Sequence, residues 1–225
     1  MMSPKTVPVV ENIFKANDEL ANSNRALLDA SRTFAVNFMA SPGAGKTSVI
    51  VRTIEAIKTH YRLAGIDGDI ATTLDADRIA ATGIPAVQIN TGGTCHLDAV
   101  MVHNALPKID LAHTDVLIIE NVGNLICPAN FPLGAHLNVL IASVPEGDDK
   151  PYKNPPMYRG VQVVLLNKID LFPYFDFDQD NFRQGVEALN PGLAFFPLSA
   201  KTGKGFDGWL TWLEGQIGAY LNTAS

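Results

Sequence analysis

Cys95 is followed directly by His96, and the second of the chain's two cysteines is Cys127. Thiolate and imidazole are soft and borderline ligands, suited to zinc, nickel or copper. Two thiols and one imidazole fall one ligand short of a closed tetrahedral site. Coordination would then be completed by a second copy of the chain, or left open for a metal that is handed on. Residue types alone equally allow a buried free cysteine at Cys127 and an incidental Cys–His neighbour pair. A catalytic Cys–His dyad is disfavoured, because adjacent residues rarely orient toward each other. His60, His103, His113 and His136 lack ligand-like spacing and read as surface or satisfied core residues.

A second constellation is built for phosphate. Ala40-Ser41-Pro42-Gly43-Ala44-Gly45-Lys46-Thr47 follows a short apolar run and opens a helical pattern, the context a phosphate loop needs. Gly43, Ala44, Gly45, Lys46, Thr47 and Ser48 would cradle the β- and γ-phosphates with backbone N–H groups and the positive end of a helix. Lys46 would reach the phosphate oxygens, and Thr47 would place its hydroxyl on Mg²⁺. Ala40 stands where the first glycine is usual, a mild departure. Asn167-Lys168-Ile169-Asp170 looks like the guanine-specificity motif of GTPases: the Asp170 carboxylate can accept from both the ring N–H and the amino group of guanine, a pair that adenine does not offer. Ser199-Ala200-Lys201 resembles the motif that backs the base. Where Ras-like GTPases carry Asp-x-x-Gly, this chain reads Glu120-Asn121-Val122-Gly123. Glu120 can still face Mg²⁺, and Asp69 is a second candidate. Asp75 and Asp77 lie just beyond and could simply cap a helix. No glutamine is in place to orient an attacking water, so slow intrinsic hydrolysis is expected, with a partner or dimer needed for speed.

Positioning these groups requires a sheet edge. Short runs rich in β-branched residues at 34–39, 86–89, 116–119, 139–142 and 161–166, with a strand ending at Asp69, alternate with helical or loop stretches. This rhythm predicts βαβ units, a mostly parallel sheet with helices on both faces: the α/β, three-layer P-loop NTPase fold. Residues 46–61 and 206–221 read as helices. Residues 9–32 read as an amphipathic helix, broken near Asn22-Ser23-Asn24, that packs on the outside of the domain or against a partner, or is an ordinary surface helix. We therefore expect an N-terminal helical extension over 1–32 and a P-loop GTPase domain over 33–225 with an embedded metal site. Residues 145–158, rich in Pro, Asp, Lys and Asn, read as a long exposed loop.

Composition bounds the rest. At 225 residues and 47% hydrophobic, the chain fits one α/β domain with a sizeable core. A net charge of −6 does not favour nucleic-acid or membrane-surface binding. No apolar run approaches a membrane span. The first ten residues lack a basic stretch followed by an apolar one, so no signal peptide is expected, and a cytoplasmic setting with free thiols or metal ligands follows.

The motifs together resemble the HypB family, GTPases that help load nickel into [NiFe]-hydrogenase. The resemblance runs from residue 34 nearly to the C-terminus. Its marks are the phosphate loop, Gly68-Asp69-Ile70-Ala71-Thr72, Cys95-His96-Leu97-Asp98-Ala99, Glu120-Asn121-Val122-Gly123-Asn124-Leu125 and Glu146-Gly147-Asp148-Asp149-Lys150-Pro151. The related urease GTPase, UreG, carries Cys-Pro-His as its metal motif. The resemblance implies a dimerising P-loop GTPase. Cys95, His96 and Cys127 match its nickel- or zinc-binding positions, and Lys150 matches a lysine that approaches the nucleotide of the opposing subunit. It implies a homodimer dependent on GTP or metal, and as partners a HypA-like accessory protein and the hydrogenase large subunit. The chain departs from some members in having no cysteine before Cys95 and no histidine before His60, so no N-terminal nickel motif or storage tract is expected. Gly92-Gly93-Thr94 also replaces the more usual Gly-Lys-Gly. Two other readings remain: a nickel or zinc carrier whose dimer nucleotide merely stabilises, and a regulatory GTPase with a structural zinc.

Overall fold

The run Phe34–Ala40 is apolar at every position but Asn37 and buried throughout. A strand of this kind belongs at the centre of a sheet covered on both faces. The computed structural model describes residues 9–70 and 73–223, and for residues 9–11 the backbone only. Residues 1–8 of the expected extension, and Ala71 and Thr72 of the run from Gly68, lie outside the described residues.

Helix α1 (Val9–Ala30) leads into strand β1 (Phe34–Ala40), helix α2 (Lys46–Ile57) and strand β2 (Leu63–Asp69). There follow α3 (Leu74–Ala80), β3 (Ala86–Asn90), α4 (Ala99–Ala105), β4 (Val116–Glu120) and β5 (Leu137–Ser143). Two short helices, α5 (Lys150–Lys153) and α6 (Pro155–Arg159), precede β6 (Val163–Asn167), α7 (Gln179–Leu189), β7 (Ala194–Pro197) and the closing α8 (Phe206–Thr223). The strands form one sheet in the order β3-β2-β4-β1-β5-β6-β7, and every pairing is parallel. All strands therefore end at the same edge, where an open α/β sheet places its ligands.

Side chains alternate across the sheet. Val36 and Phe38 join Ile50, Ile54, Trp209 and Leu213 from α2 and α8 on one face. Ala35, Leu117 and Ile119 join Leu28 of α1 and Val102 of α4 on the other. Further along that second face, Leu140 and Val164 meet Tyr158 and Phe182 of α6 and α7. Three layers result, as the strand–helix rhythm predicts.

Three expectations need correction. Helix α1 is unbroken through Asn22-Ser23-Asn24; Asn24 is fully buried and its carboxamide is consumed by Ala99, Leu133 and His103. The helix expected over 46–61 ends at Ile57, with Lys58 as its C-cap. Residues 145–158 are no long exposed loop: Pro151 falls in the first turn of α5, Pro155 and Pro156 open α6, and Pro151, Met157 and Tyr158 are buried. Proline at the first turn of a helix removes an N–H that would have no partner there, so a proline-rich stretch can read as loop and fold as two short helices.

A candidate nucleotide site and a candidate metal centre

The turn after β1 is shaped by Gly45, the left-handed N-cap of α2 at φ 92°. A Cβ at this position would lie 2.5 Å from Asn167 Nδ2, so both the backbone conformation and the space call for glycine. Asn167 Nδ2 donates to Ala44 O at 2.9 Å, and its Oδ1 accepts from Ala200 N at 3.0 Å. Lys168 Nζ donates to Gly43 O at 2.5 Å. Asn167, the last residue of β6, thus joins the phosphate loop to the Ser199-Ala200-Lys201 turn, and Lys168 adds a second tie to the loop. Glu146 fastens the loop from the other side, accepting from Ser41 Oγ and, at 2.8 Å, from Ser143 Oγ. The loop, the first turn of α2, the end of β2 and the turn after β4 line a cavity of about 620 Å³.

At the base of this cavity lie the groups that would handle charge. Lys46 Nζ is ion-paired with Glu120 Oε1, and Thr47 Oγ1 donates to the same oxygen at 2.7 Å. Glu120 is fully buried. Across the sheet its register partner on β2 is Asp67, 1% exposed. Glu120 Oε2 and Asp67 Oδ2 are both buried without a hydrogen-bond partner among the described residues. Burial, reinforced by the neighbouring Glu120 charge and opposed by Lys46, pushes the Asp67 carboxyl up to about 7. Two orphaned carboxylate oxygens beside a threonine hydroxyl are the hard-oxygen donor set that suits a divalent cation such as Mg²⁺. Asp69 ends β2 and lines the cavity, as do Ser48, Asp75 and Arg78.

Toward the base end, Asp170 Oδ1 accepts from the buried Ser199 Oγ at 2.6 Å, and Ser199 Oγ also accepts from Thr202 N at 3.1 Å. Ser199 thereby orients the carboxylate that would read guanine. Lys201 is exposed beside it. Lys150 opens α5 and does not line the cavity of its own chain.

The candidate metal ligands converge. One ligand atom each from Cys95, His96 and Cys127 lie within 4.8 Å of one another, and all three residues are half-buried. Cys95 Sγ is 3.0 Å from Cys127 Sγ and 3.9 Å from His96 Nδ1. The hydrogen bond shared with the Cys95 thiol, then burial, raises the Cys127 thiol above its ordinary value. Burial lowers the His96 imidazole, against the opposing pull of Asp98, which keeps it in the neutral form that binds metal. Asp98 caps α4, accepting from Met101 N at 2.8 Å, and Thr94 sits in a turn closed by its N–H on Thr91 O. The remaining histidines are satisfied elsewhere: His136 Nδ1 accepts from Ala35 N at 2.9 Å, and His103 pairs with Asn24.

The two constellations are physically joined. Buried Asn121 follows Glu120 and accepts at Oδ1 from Leu97 N at 3.0 Å and Val122 N at 2.9 Å. The metal loop is therefore hydrogen-bonded to the residue next to Glu120. Sequence reasoning gave Asp67, Arg78 and Glu146 no role and quoted Asn121 only inside a motif. The signal for Asp67 was its spacing of two from Asp69 on one strand, which places both on one face; which of them meets Glu120 depends on strand register.

A family model described as CobW/HypB/UreG, nucleotide-binding domain, matches residues 34–197. The hydrogenase maturation factor HypB of Azotobacter vinelandii is 47% identical over 213 residues, 95% of this chain and 70% of that protein. That of Escherichia coli (strain K12) is 44% identical over 216 residues, 96% of this chain and 74% of that protein. Among solved structures, hydrogenase maturation factor HypB from Archaeoglobus fulgidus matches with a TM-score of 0.84 at 39% identity, covering 90% of this chain and 99% of that one. HypB from Helicobacter pylori in complex with nickel matches with a TM-score of 0.85 at 35% identity, covering 90% and 95%.

Proposed function

This chain belongs to the HypB hydrogenase maturation factors, within the CobW/HypB/UreG nucleotide-binding domains, and on that premise we propose that it hydrolyses GTP to GDP and phosphate to drive the delivery of nickel to a [NiFe]-hydrogenase. The observation that carries this reading is the link between the two constellations: soft ligands on one loop, and the Asn121 hydrogen bond from that loop to the neighbour of Glu120.

The nucleotide step follows from the charges. Lys46 is held by Glu120 in the structure. A triphosphate entering the loop offers Lys46 a stronger partner, because phosphate oxygens accept charge-assisted hydrogen bonds and the loop N–H groups neutralise the rest. Glu120 is then left with Asp67 and Thr47 to hold Mg²⁺. When bound, Mg²⁺ neutralises the charge that builds on the β- and γ-phosphate oxygens during transfer. Asp170, oriented by Ser199, selects guanine. Movement of Glu120 passes to Asn121 and through Leu97 to the Cys95–His96 pair.

Cys95, His96 and Cys127 bind nickel as cargo; zinc competes, since thiolate sites seldom discriminate between the two by affinity. With three ligands per chain, a second copy completes or shares the site, and Lys150 reaches the nucleotide of that copy. The chain acts as a homodimer in the cytoplasm, with a HypA-like accessory protein and the hydrogenase large subunit as partners. Among the described residues no helix is long and apolar enough to cross a membrane.

The test is a nickel titration of metal-free protein, once with GDP and once with a non-hydrolysable GTP analogue, read by thiolate-to-nickel absorption. A difference in affinity or stoichiometry is expected. Linkage requires nickel to shift nucleotide affinity by the same factor. Identical curves would leave a carrier whose metal site ignores nucleotide.

A further inference from the structure

The two ligand-bearing segments meet through side chains, Cys95 Sγ against Cys127 Sγ and the His96 ring against Phe131, while their backbones are held by a third element. Cys95 and His96 lie on a loop that runs into α4 at Ala99, whereas Cys127 opens a single 3-10 turn that leads through Phe131 to Gly134. Both segments are gripped by the same side chains of α1. Asn17 Oδ1 accepts from Ala99 N at 2.8 Å while its Nδ2 donates to Pro132 O at 2.9 Å. Asn24 Nδ2 donates to Ala99 O at 2.9 Å and to Leu133 O at 3.1 Å. Each carboxamide is thus a cross-link between the backbone just after His96 and the backbone a few residues after Cys127. Their spacing of seven puts them two turns apart on one face of the helix.

Close approach at this seam is obligatory. A Cβ at Gly134 would fall 2.4 Å from Ala21 O of α1. Arg25 Nε adds a hydrogen bond to Gly134 O at 2.8 Å. The grip extends to a ligand itself. The Phe131 ring lies 4.0 Å, centroid to centroid, from the His96 imidazole, and the Phe14 ring of α1 meets Phe131 edge-on at 5.4 Å. His96 is therefore seated on an aromatic pair whose outer member belongs to α1.

We infer that α1 is the positioning element of the metal centre: Asn17 and Asn24 set the separation of the two ligand segments, and Phe14, acting through Phe131, sets the orientation of His96. The inference rests on Cys95, His96 and Cys127 being the nickel site. Groups that orient a ligand typically account for a 10- to 100-fold change in metal affinity when removed. Displacing α1 releases both segments together, so the helix is a handle by which metal affinity is lowered without touching a ligand.

The test uses the full chain with nickel alone as the probe. Phe14→Ala and Asn17→Ala are each expected to weaken nickel binding about 10-fold and to alter the nickel absorption spectrum, while nickel-free GTP turnover stays within about twofold. Phe14→Tyr, which keeps the ring, is expected to restore the parent spectrum, a result that general loosening of the helix would not produce. Asn17→Asp keeps the acceptor for Ala99 N and loses the donor to Pro132 O; it is expected to fall between Asn17→Ala and the parent. Parent-like nickel affinity and spectrum in both alanine variants would overturn the inference, provided Cys127→Ala has lost nickel. Were Cys127→Ala itself to bind nickel like the parent, the metal assignment would fall first and the positioning role with it, and the silent ligand variant would identify which had failed.

Discussion

The nucleotide site and the metal site stand a few residues apart, yet they are supported in opposite ways. The phosphate loop is held by its immediate surroundings: Gly45 fits against Asn167, Lys168 ties to Gly43, and Glu146 secures Ser41. Its parts come from strand ends that the sheet itself aligns. The proposed metal site has three half-buried candidate ligands on two segments, braced by asparagines from a helix that joins neither segment in sequence. A site built on strand ends resists distant change, whereas a site built on loops takes its geometry from whatever packs against them. That asymmetry suits a device that must keep its nucleotide grip while loosening its hold on cargo.

The largest effect should come from removing the phosphate-loop lysine. Lys46→Ala is expected to lower GTP turnover by about 10²–10³-fold while leaving nucleotide-free nickel binding unchanged; steady-state kinetics and a nickel titration check both halves. Loss of nickel binding in that variant would mean the two sites are less independent than their supports suggest. The converse variant, Cys127→Ala, should weaken nickel binding by about 100-fold with metal-free GTP turnover retained. Asp170→Asn should weaken GTP binding by about 10- to 100-fold, the value of a hydrogen bond to a charged acceptor, with nickel affinity again unmoved.

Asp67 sharpens the contrast through pH. Its carboxyl is raised from 3.8 to about 7 in the folded chain, so the folded state binds this proton more tightly than the unfolded state does. The stability it contributes is present at low pH and is lost as pH rises from about 4 through about 7. In metal-free protein Asp67→Asn should therefore raise stability at pH 8, by at most about 4 kcal/mol, and flatten that dependence, as read by thermal melts at pH 5 and pH 8. The same variant should weaken Mg²⁺-dependent GTP binding. The smallest effect is expected at the joint between the sites. Asn121→Ala should leave each affinity close to the parent's but shrink the nucleotide-dependent difference in nickel affinity by about 3- to 30-fold. A full difference surviving in Asn121→Ala would show that the sites communicate by another route.

How much of this was readable beforehand depended on whether the information was local. The phosphate loop, Asn167–Asp170 and Ser199–Lys201 could be read because each is a contiguous run at the end of an apolar strand, the first two buried and the third half-buried, and strand ends on a parallel sheet share an edge. The mismatches share a cause. Asn22-Ser23-Asn24 looks like a helix break because asparagine competes for backbone hydrogen bonds, but here the Asn24 carboxamide is spent on backbone groups far away in sequence. The prolines of 145–158 look like a loop until burial of Met157 and Tyr158 makes short helices worthwhile. Asp67 could not be told from Asp69, since both occupy the same face of β2 and only the pairing of β2 with β4 sets Asp67 against Glu120.

The sequence by itself determined the parallel α/β sheet and the glycine-rich turn after its first strand, and it singled out Asp170 and the three soft side chains as candidates, because periodicity and short motifs encode what neighbours in the chain must do. Tertiary structure alone decided that Cys127 meets Cys95 and His96, that Asp67 shares a buried pocket with Glu120, and that α1 braces the metal loops. Those facts are distances between segments remote in sequence, and only the packing of the whole sheet and its helices sets them.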